Sequence, residues 1–267
     1  VVTGANTGIG YEIALGIART GAHVILACRD EVRAEDARRR IAELTGNHNL
    51  ETLLVDLSSR ASIHDATAQL AKRHPSLDVL VNNAGVAIKA RQESIDGIEM
   101  TFATNVLGYH LMTAGTLPLL RRAAEAHGSA RIVGVASMYA FGLDLNDPEF
   151  RRRKYDAGSA YAASKQANRM WTWELARRLE GSGVTANAMH PGAVRTPLLH
   201  ALAPGMRGRT PAEGADTAIW LATDMSVENT SGAFWVDRRA QKCEFRNERH
   251  EQQLWALLEL MSGAEPA

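Results

Sequence analysis

At 267 residues, with 45% hydrophobic and 22% charged side chains, the chain has the make-up of an ordinary globular protein long enough for one large sheet. Thirty basic and thirty acidic residues cancel, so no net field steers nucleic acid or an anionic membrane toward it. Only Cys28 and Cys243 are present, which is no disulfide framework and suits a reducing cytosol, and no run of about eighteen apolar residues is there to span a bilayer.

The chain opens on Val1-Val2-Thr3, fewer residues than the five or six of a usual core strand, which implies a leading stretch upstream of this numbering; whether it carries an anchor stays open. Val1-Val2 reads as the end of a buried strand, residues 3–10 as a glycine-rich turn and 11–20 as a helix. Gly4, Gly8 and Gly10 after a strand let backbone approach a pyrophosphate, and the free N–H groups of the following helix favour an anion there. The spacing is G-x-x-x-G-x-G rather than G-x-G-x-x-G. Residues 23–28 form the next short apolar strand, 30–45 an Arg-rich helix and 50–57 a strand that contains Asp56.

Residues 59–73 are amphipathic with Ser58 or Ser59 as N-cap, and 77–81 form a strand before Asn82-Asn83-Ala84-Gly85. A long helix over 94–127, kinked at Pro118, leads to a strand at 130–136 that ends beside Ser137. Strands rich in Val and Leu without polar alternation, spaced by helices, argue a parallel sheet covered on both faces. Residues 139–158 break the rhythm as a surface excursion, and their run Arg151-Arg152-Arg153-Lys154 is read as a solvated face.

A helix over 160–179, a strand over 184–189 and a loop-like stretch over 193–209 follow. Thr210 caps a helix with Pro211 at its first position, residues 232–236 form a last strand, and the tail at 247–261 is a helix that packs on its own core or on a partner. The expected fold is one α/β domain over 1–267, doubly wound, with about seven mostly parallel strands.

In such a sheet ligands bind outside the carboxyl ends of the strands, and the polar motifs fall there. Tyr161 and Lys165, one turn apart on one helix face, join Thr3 to Gly10, Asp56, Asn82 to Gly85, Ser137 and Pro191-Gly192. Together with Asn105, Leu57 and the segment His190-Pro191-Gly192-Ala193-Val194, these residues resemble the short-chain dehydrogenase/reductase family over essentially the whole length. Ala27-Cys28-Arg29-Asp30, the long interval from Ser137 to Tyr161 and Trp235-Val236-Asp237 make it most similar to the retinol-dehydrogenase-like branch.

The resemblance implies a catalytic set of Asn105, Ser137, Tyr161 and Lys165. It implies a dinucleotide held by Gly4, Asn6, Thr7, Gly8, Ile9 and Gly10, by Arg29, Asp56 and Leu57, by Asn83, Ala84 and Gly85, and by Tyr161, Lys165, Pro191, Gly192, Val194 and Thr196. No metal-ligand set is assigned. A phenol near pKa 10 is a poor base at neutral pH, but an ammonium about 4 Å away at an effective dielectric near 20 is worth about 4 kcal/mol, or roughly three units. Tyr161 is thus the expected general acid in reduction and base in oxidation, with Ser137 on the substrate oxygen and Asn105 supporting a water-linked path to Lys165.

Where an NAD enzyme carries a ribose-binding carboxylate, this chain has Cys28 followed by Arg29, so NADP(H) is favoured over NAD(H). Residues 193–209, with Leu198, Leu199, Leu202 and Met206, would line an apolar substrate cleft, helped by 86–92 and 138–143. The leading function is a cytoplasmic NADP(H)-dependent alcohol dehydrogenase or carbonyl reductase. A tailoring ketoreductase on the same site and a non-catalytic dinucleotide sensor are the alternatives. A homodimer or homotetramer through the helices at 94–127 and 160–179 is left open.

Overall fold

The computed structural model describes residues 1–263. Its strands are β1 (Val2–Thr3), β2 (Val24–Cys28), β3 (Leu50–Leu54), β4 (Val79–Asn82), β5 (Ala130–Val135), β6 (Val184–His190), β7 (Phe234–Val236) and β8 (Arg239–Gln241). They make one sheet in the order β3-β2-β1-β4-β5-β6-β7-β8, parallel throughout except for the antiparallel β7–β8 pair. The order reverses at β1, which pairs with β2 on one side and β4 on the other, and the crevice above that point is where a doubly wound sheet receives a ligand.

Every residue of β2 and of β5 is buried, as strands covered on both faces require. On one face lie α1 (Gly8–Ala18), α2 (Glu31–Thr45) and α8 (Pro211–Thr223). On the other lie α3 (Arg60–Arg73), α5 (Gly108–His127) and α6 (Ala157–Arg178). Close helix contacts explain two glycines: a Cβ on Gly16 would come within 2.3 Å of Ile219, and one on Gly115 within 2.5 Å of Thr67.

Several boundaries differ from the sequence reading. The first helix starts at Gly8, inside the glycine turn. The helix expected over 94–127 is a short turn, α4 (Met100–Phe102), a π-helical turn (Ala103–Leu107) and then α5; Pro118 lies inside α5 without ending it. The loop-like stretch 193–209 contains α7 (Pro197–Leu202), capped by Thr196. Among the described residues the sheet has eight strands, because a hairpin adds β8 beyond the strand read as the last.

The excursion at 139–158 is more than surface. Asp147, 5% exposed, accepts backbone N–H groups from Arg151, Arg152 and Arg153, so the basic run is wound around a buried carboxylate. The tail forms α9 (Glu248–Ser262), whose Leu254 and Leu258 are fully buried against the chain's own core. Among the described residues, no helix is long and apolar enough to cross a membrane.

Candidate active site

Thr3, at the end of β1, locks the glycine turn to the end of β4. Its hydroxyl accepts the backbone N–H groups of Asn83 at 2.9 Å and Ala84 at 3.1 Å, while Asn83 Nδ2 donates to the Thr3 carbonyl at 2.8 Å. The approach leaves no room for a side chain at Gly10: its Cβ would lie 2.3 Å from both Asn83 Nδ2 and the Gly4 carbonyl. Gly4 turns in the left-handed region at φ 66°, which glycine adopts without steric cost.

Above this turn opens a cleft of about 320 Å³. Gly4, Asn6, Thr7, Gly8, Ile9 and Gly10 form its floor, and Arg29, Asp56, Leu57, Asn83, Ala84 and Gly85 line its sides with Tyr161, Lys165, Pro191 and Thr196. At its far wall Arg29 follows Cys28, whose buried thiol is pushed up to about 11 by desolvation. Asp30 is engaged elsewhere, capping α2 by accepting the Arg33 N–H at 3.0 Å. These residues suit a dinucleotide: three glycines bring backbone close, the N-terminus of α1 faces the cleft, and Asp56 and Arg29 offer an acceptor and a cation at its sides.

A second cleft, of about 630 Å³, adjoins the first. Ser137, Met138, Tyr139 and His190 line it together with Gly192, Val194, Leu198, Leu199, Leu202 and Met206. Gly192 and Val194, expected to hold the dinucleotide, therefore line this second cleft rather than the first. No Asp, Glu, Lys or Arg side chain lines it among the described residues. Tyr161 borders both clefts.

Behind Tyr161 the wall is dry. Lys165, 2% exposed, donates to the Val135 carbonyl at 2.7 Å, and its Nζ lies 5.6 Å from the ring centres of both Tyr161 and Tyr109. Burial draws its ammonium down to about 7, and the same burial pushes the Tyr161 phenol above its ordinary value. This corrects the expectation that Lys165 alone lowers the phenol. Desolvation outweighs a cation that is itself drawn toward neutrality and lies 5.6 Å from the phenol ring centre.

Asn105 lies in the π-helical turn and borders neither cleft. Its side-chain oxygen accepts the Val86 N–H at 2.8 Å, and its amide donates to the Val86 carbonyl and to Ser164 Oγ, each at 3.0 Å. Its backbone carbonyl already accepts from Asn168 Nδ2 at 2.7 Å. Asn105 thus brackets the wall behind Lys165: a Cβ on Gly85 would lie 3.5 Å from its Oδ1 and 3.7 Å from Lys165 Nζ. Ser137, just past β5, accepts the Tyr139 N–H at 3.0 Å and keeps its own hydroxyl proton to donate.

Two residues here escaped the sequence reading. Tyr109 is fully buried with no hydrogen-bond partner for its hydroxyl, and burial raises its phenol well above the ordinary value. His190 accepts the Met138 N–H on Nδ1 at 3.2 Å, and burial, with help from Arg209, pulls it down to about 4; it is a neutral imidazole with its proton on Nε2. Only its place before Pro191-Gly192 was a signal.

The second cleft is closed at its base. Val194 and Arg209 form a parallel bridge, and Arg209 makes a two-point pair with Asp237 at 2.5 and 2.9 Å. Thr196 sits over the glycine turn, its methyl 3.3 Å from where a Cβ on Gly8 would lie.

A family model described as short chain dehydrogenase matches residues 1–207. Human retinol dehydrogenase 13 is 36% identical over 285 aligned residues, covering 99% of this chain and 84% of the relative. Among solved structures, an uncharacterized protein from Mycobacterium Paratuberculosis superposes with a TM-score of 0.77 at 31% identity, over 99% of this chain and 93% of the other. One described as a short chain dehydrogenase from Escherichia coli CFT073 complexed with NADPH gives a TM-score of 0.72 at 26% identity, over 88% and 93%.

Proposed function

The chain belongs to the short-chain dehydrogenase family of oxidoreductases, in its retinol-dehydrogenase-like branch, and on that premise we propose that it moves a hydride between NADP(H) and the alcohol or carbonyl carbon of an apolar small molecule. The observation that carries this reading is the place of Tyr161, bordering the dinucleotide cleft and the apolar cleft at once. When bound, the nicotinamide supplies the hydride in reduction and accepts it in oxidation. Tyr161 handles the proton. The Tyr161 phenol is protonated at neutral pH and can give its proton to the carbonyl oxygen in reduction, and Ser137 can donate its hydroxyl hydrogen to the same oxygen. Lys165, its Nζ 5.6 Å from the Tyr161 ring centre, favours the phenolate that is left once the proton is given.

NADP(H) is favoured by Arg29 on the cleft wall and by the engagement of Asp30 in capping α2, which leaves no carboxylate at the end of β2 for a ribose. The apolar second cleft, whose one imidazole is neutral, favours an uncharged substrate. The free thiols of Cys28 and Cys243 fit a reducing, cytoplasmic location. A panel of ketones, aldehydes and alcohols followed at the nicotinamide absorbance tests the reading. Turnover should appear with NADPH or NADP⁺ and favour apolar compounds, and Cys28→Asp with Arg29→Ala should shift preference to NAD(H). Tight NADPH binding with no turnover across the panel would leave a dinucleotide-binding protein instead. Wild-type preference for NAD(H) would overturn the cofactor assignment.

A further inference from the structure

At the opposite rim of the sheet, three side chains from separate elements converge. His23 precedes β2, Glu51 is on the edge strand β3, and His74 caps the C-terminus of α3. His23 Nε2 lies 2.8 Å from Glu51 Oε1, His74 Nε2 lies 3.5 Å from Glu51 Oε2, and the three ligand atoms all fall within 4.8 Å of one another. The two rings are tilted by 50° with centres 5.3 Å apart. His74 Nε2 is closed to solvent and makes no hydrogen bond, although the carboxylate is beside it.

A buried polar atom without a partner costs free energy, so a group that satisfies His74 Nε2 would be stabilising. Ligands about 2.1 Å from one tetrahedral ion stand about 3.4 Å apart; the His74–Glu51 spacing of 3.5 Å matches this, and the His23–Glu51 spacing of 2.8 Å would open slightly around an ion. Two imidazoles and one carboxylate are a donor set that zinc accepts, with a fourth position left to water. His23 and Glu51 keep 31% and 35% of their side-chain surface exposed, so an ion can enter.

We propose that His23, Glu51 and His74 form a divalent transition-metal site, with Zn²⁺ the fitting ion, that ties the edge strand β3 to β2 and to the end of α3. It stands apart from the dinucleotide and substrate clefts, and its role is structural. The rival is an acid–imidazole cluster that holds no metal.

The test uses tag-free, chelator-stripped full chain, with Zn²⁺ titrated by calorimetry and thermal melts recorded with and without the ion. One equivalent should bind, and Zn²⁺ at about 100 times its Kd should raise Tm by several degrees. His74→Gln and Glu51→Gln should weaken binding by more than roughly 100-fold, beyond what a ligand's outer partners cost. Metal-free melts of these variants, matched to the metal-free wild type, keep a folding defect from posing as a lost site. Absence of saturable one-to-one binding overturns the proposal. So does a Zn²⁺-induced rise in Tm that persists in both variants, because the ion would then sit elsewhere.

Discussion

Tyr161 and Lys165 lie one turn apart on α6; Tyr161 is half-buried between the two clefts, and Lys165 behind it is shut off from water. The consequence for Lys165 can be measured as stability. Below about pH 7 the ammonium is charged in the folded and unfolded chain, and the whole desolvation cost is present. Between about 7 and its ordinary 10.5 the unfolded chain holds a proton that the folded one has shed, so wild-type stability rises with pH. Lys165→Met removes that dependence. The variant should gain most on wild type at pH 6–7, on the order of 4 kcal/mol before a constant offset for the unpaired Val135 carbonyl, and the gap should close toward pH 10. Thermal melts across this range check it, and a gap that does not change with pH would contradict the burial of Lys165. Gly10 supplies a second residue-scale test. A methyl there must displace Asn83 or the Gly4 turn, at about 1–3 kcal/mol, so Gly10→Ala should lower Tm and weaken NADPH binding at least ~10-fold by fluorescence titration. At this scale much was legible, because glycines and the Tyr161–Lys165 spacing are local patterns. Tyr109 was not: a phenol inside an apolar helix reads as core until its neighbour across the fold is known.

Among the elements, the β7–β8 hairpin explains how the base of the second cleft is held. Its two turn residues, Asp237 and Arg238, both adopt positive φ, at 50° and 58°, which costs non-glycine residues about 1–2 kcal/mol each. Each is clamped, Asp237 by Arg209 at the base of the substrate segment and Arg238 by Asp216 of α8. Exposed pairs of this kind add little stability, so their effect is positional. Asp237→Ala should change stability by less than about 1 kcal/mol yet raise KM for the carbonyl substrate several-fold at nearly constant NADPH affinity, because Arg209 would no longer fix the turn beside Gly192. Equal KM values in steady-state assays would show the clamp to be idle. β8 was missed because three exposed residues, Arg239-Ala240-Gln241, carry no apolar pattern. The signal for α7 was present: Thr196-Pro197 repeats the cap that Thr210-Pro211 makes for α8, but the surrounding Gly and Pro residues obscured it. The π-helical turn that sets Asn105 has no local sequence mark; it arises where the helix meets Val86 and Ser164.

For the molecule as a whole, α9 joins the core to α5 and α6, the helices through which pairing with a partner subunit was left open. It crosses α5 and α6: the Trp255 ring lies 4.9 Å from His110 and 4.5 Å from the Arg178 guanidinium, and Glu251 pairs with Arg177 at 2.6 Å. Leu258→Ala should therefore cost about 2–5 kcal/mol and lower Tm by several degrees, a loss read by calorimetry. A change within error would mean that α9 packs loosely. The doubly wound sheet was legible from the run of apolar strands and helices, since burial on both faces dictates that composition. Where the tail docks was not, because an apolar helix stripe names no partner.

The central claim rests on Tyr161 as the proton carrier between the two clefts, and the most direct measurement is hydride transfer by Tyr161→Phe beside wild type. With any carbonyl that wild type reduces, the variant should bind NADPH normally by fluorescence titration and lose turnover at the nicotinamide absorbance by on the order of 100-fold or more, the share that a positioned acid supplies. Unchanged turnover in the variant would contradict the account.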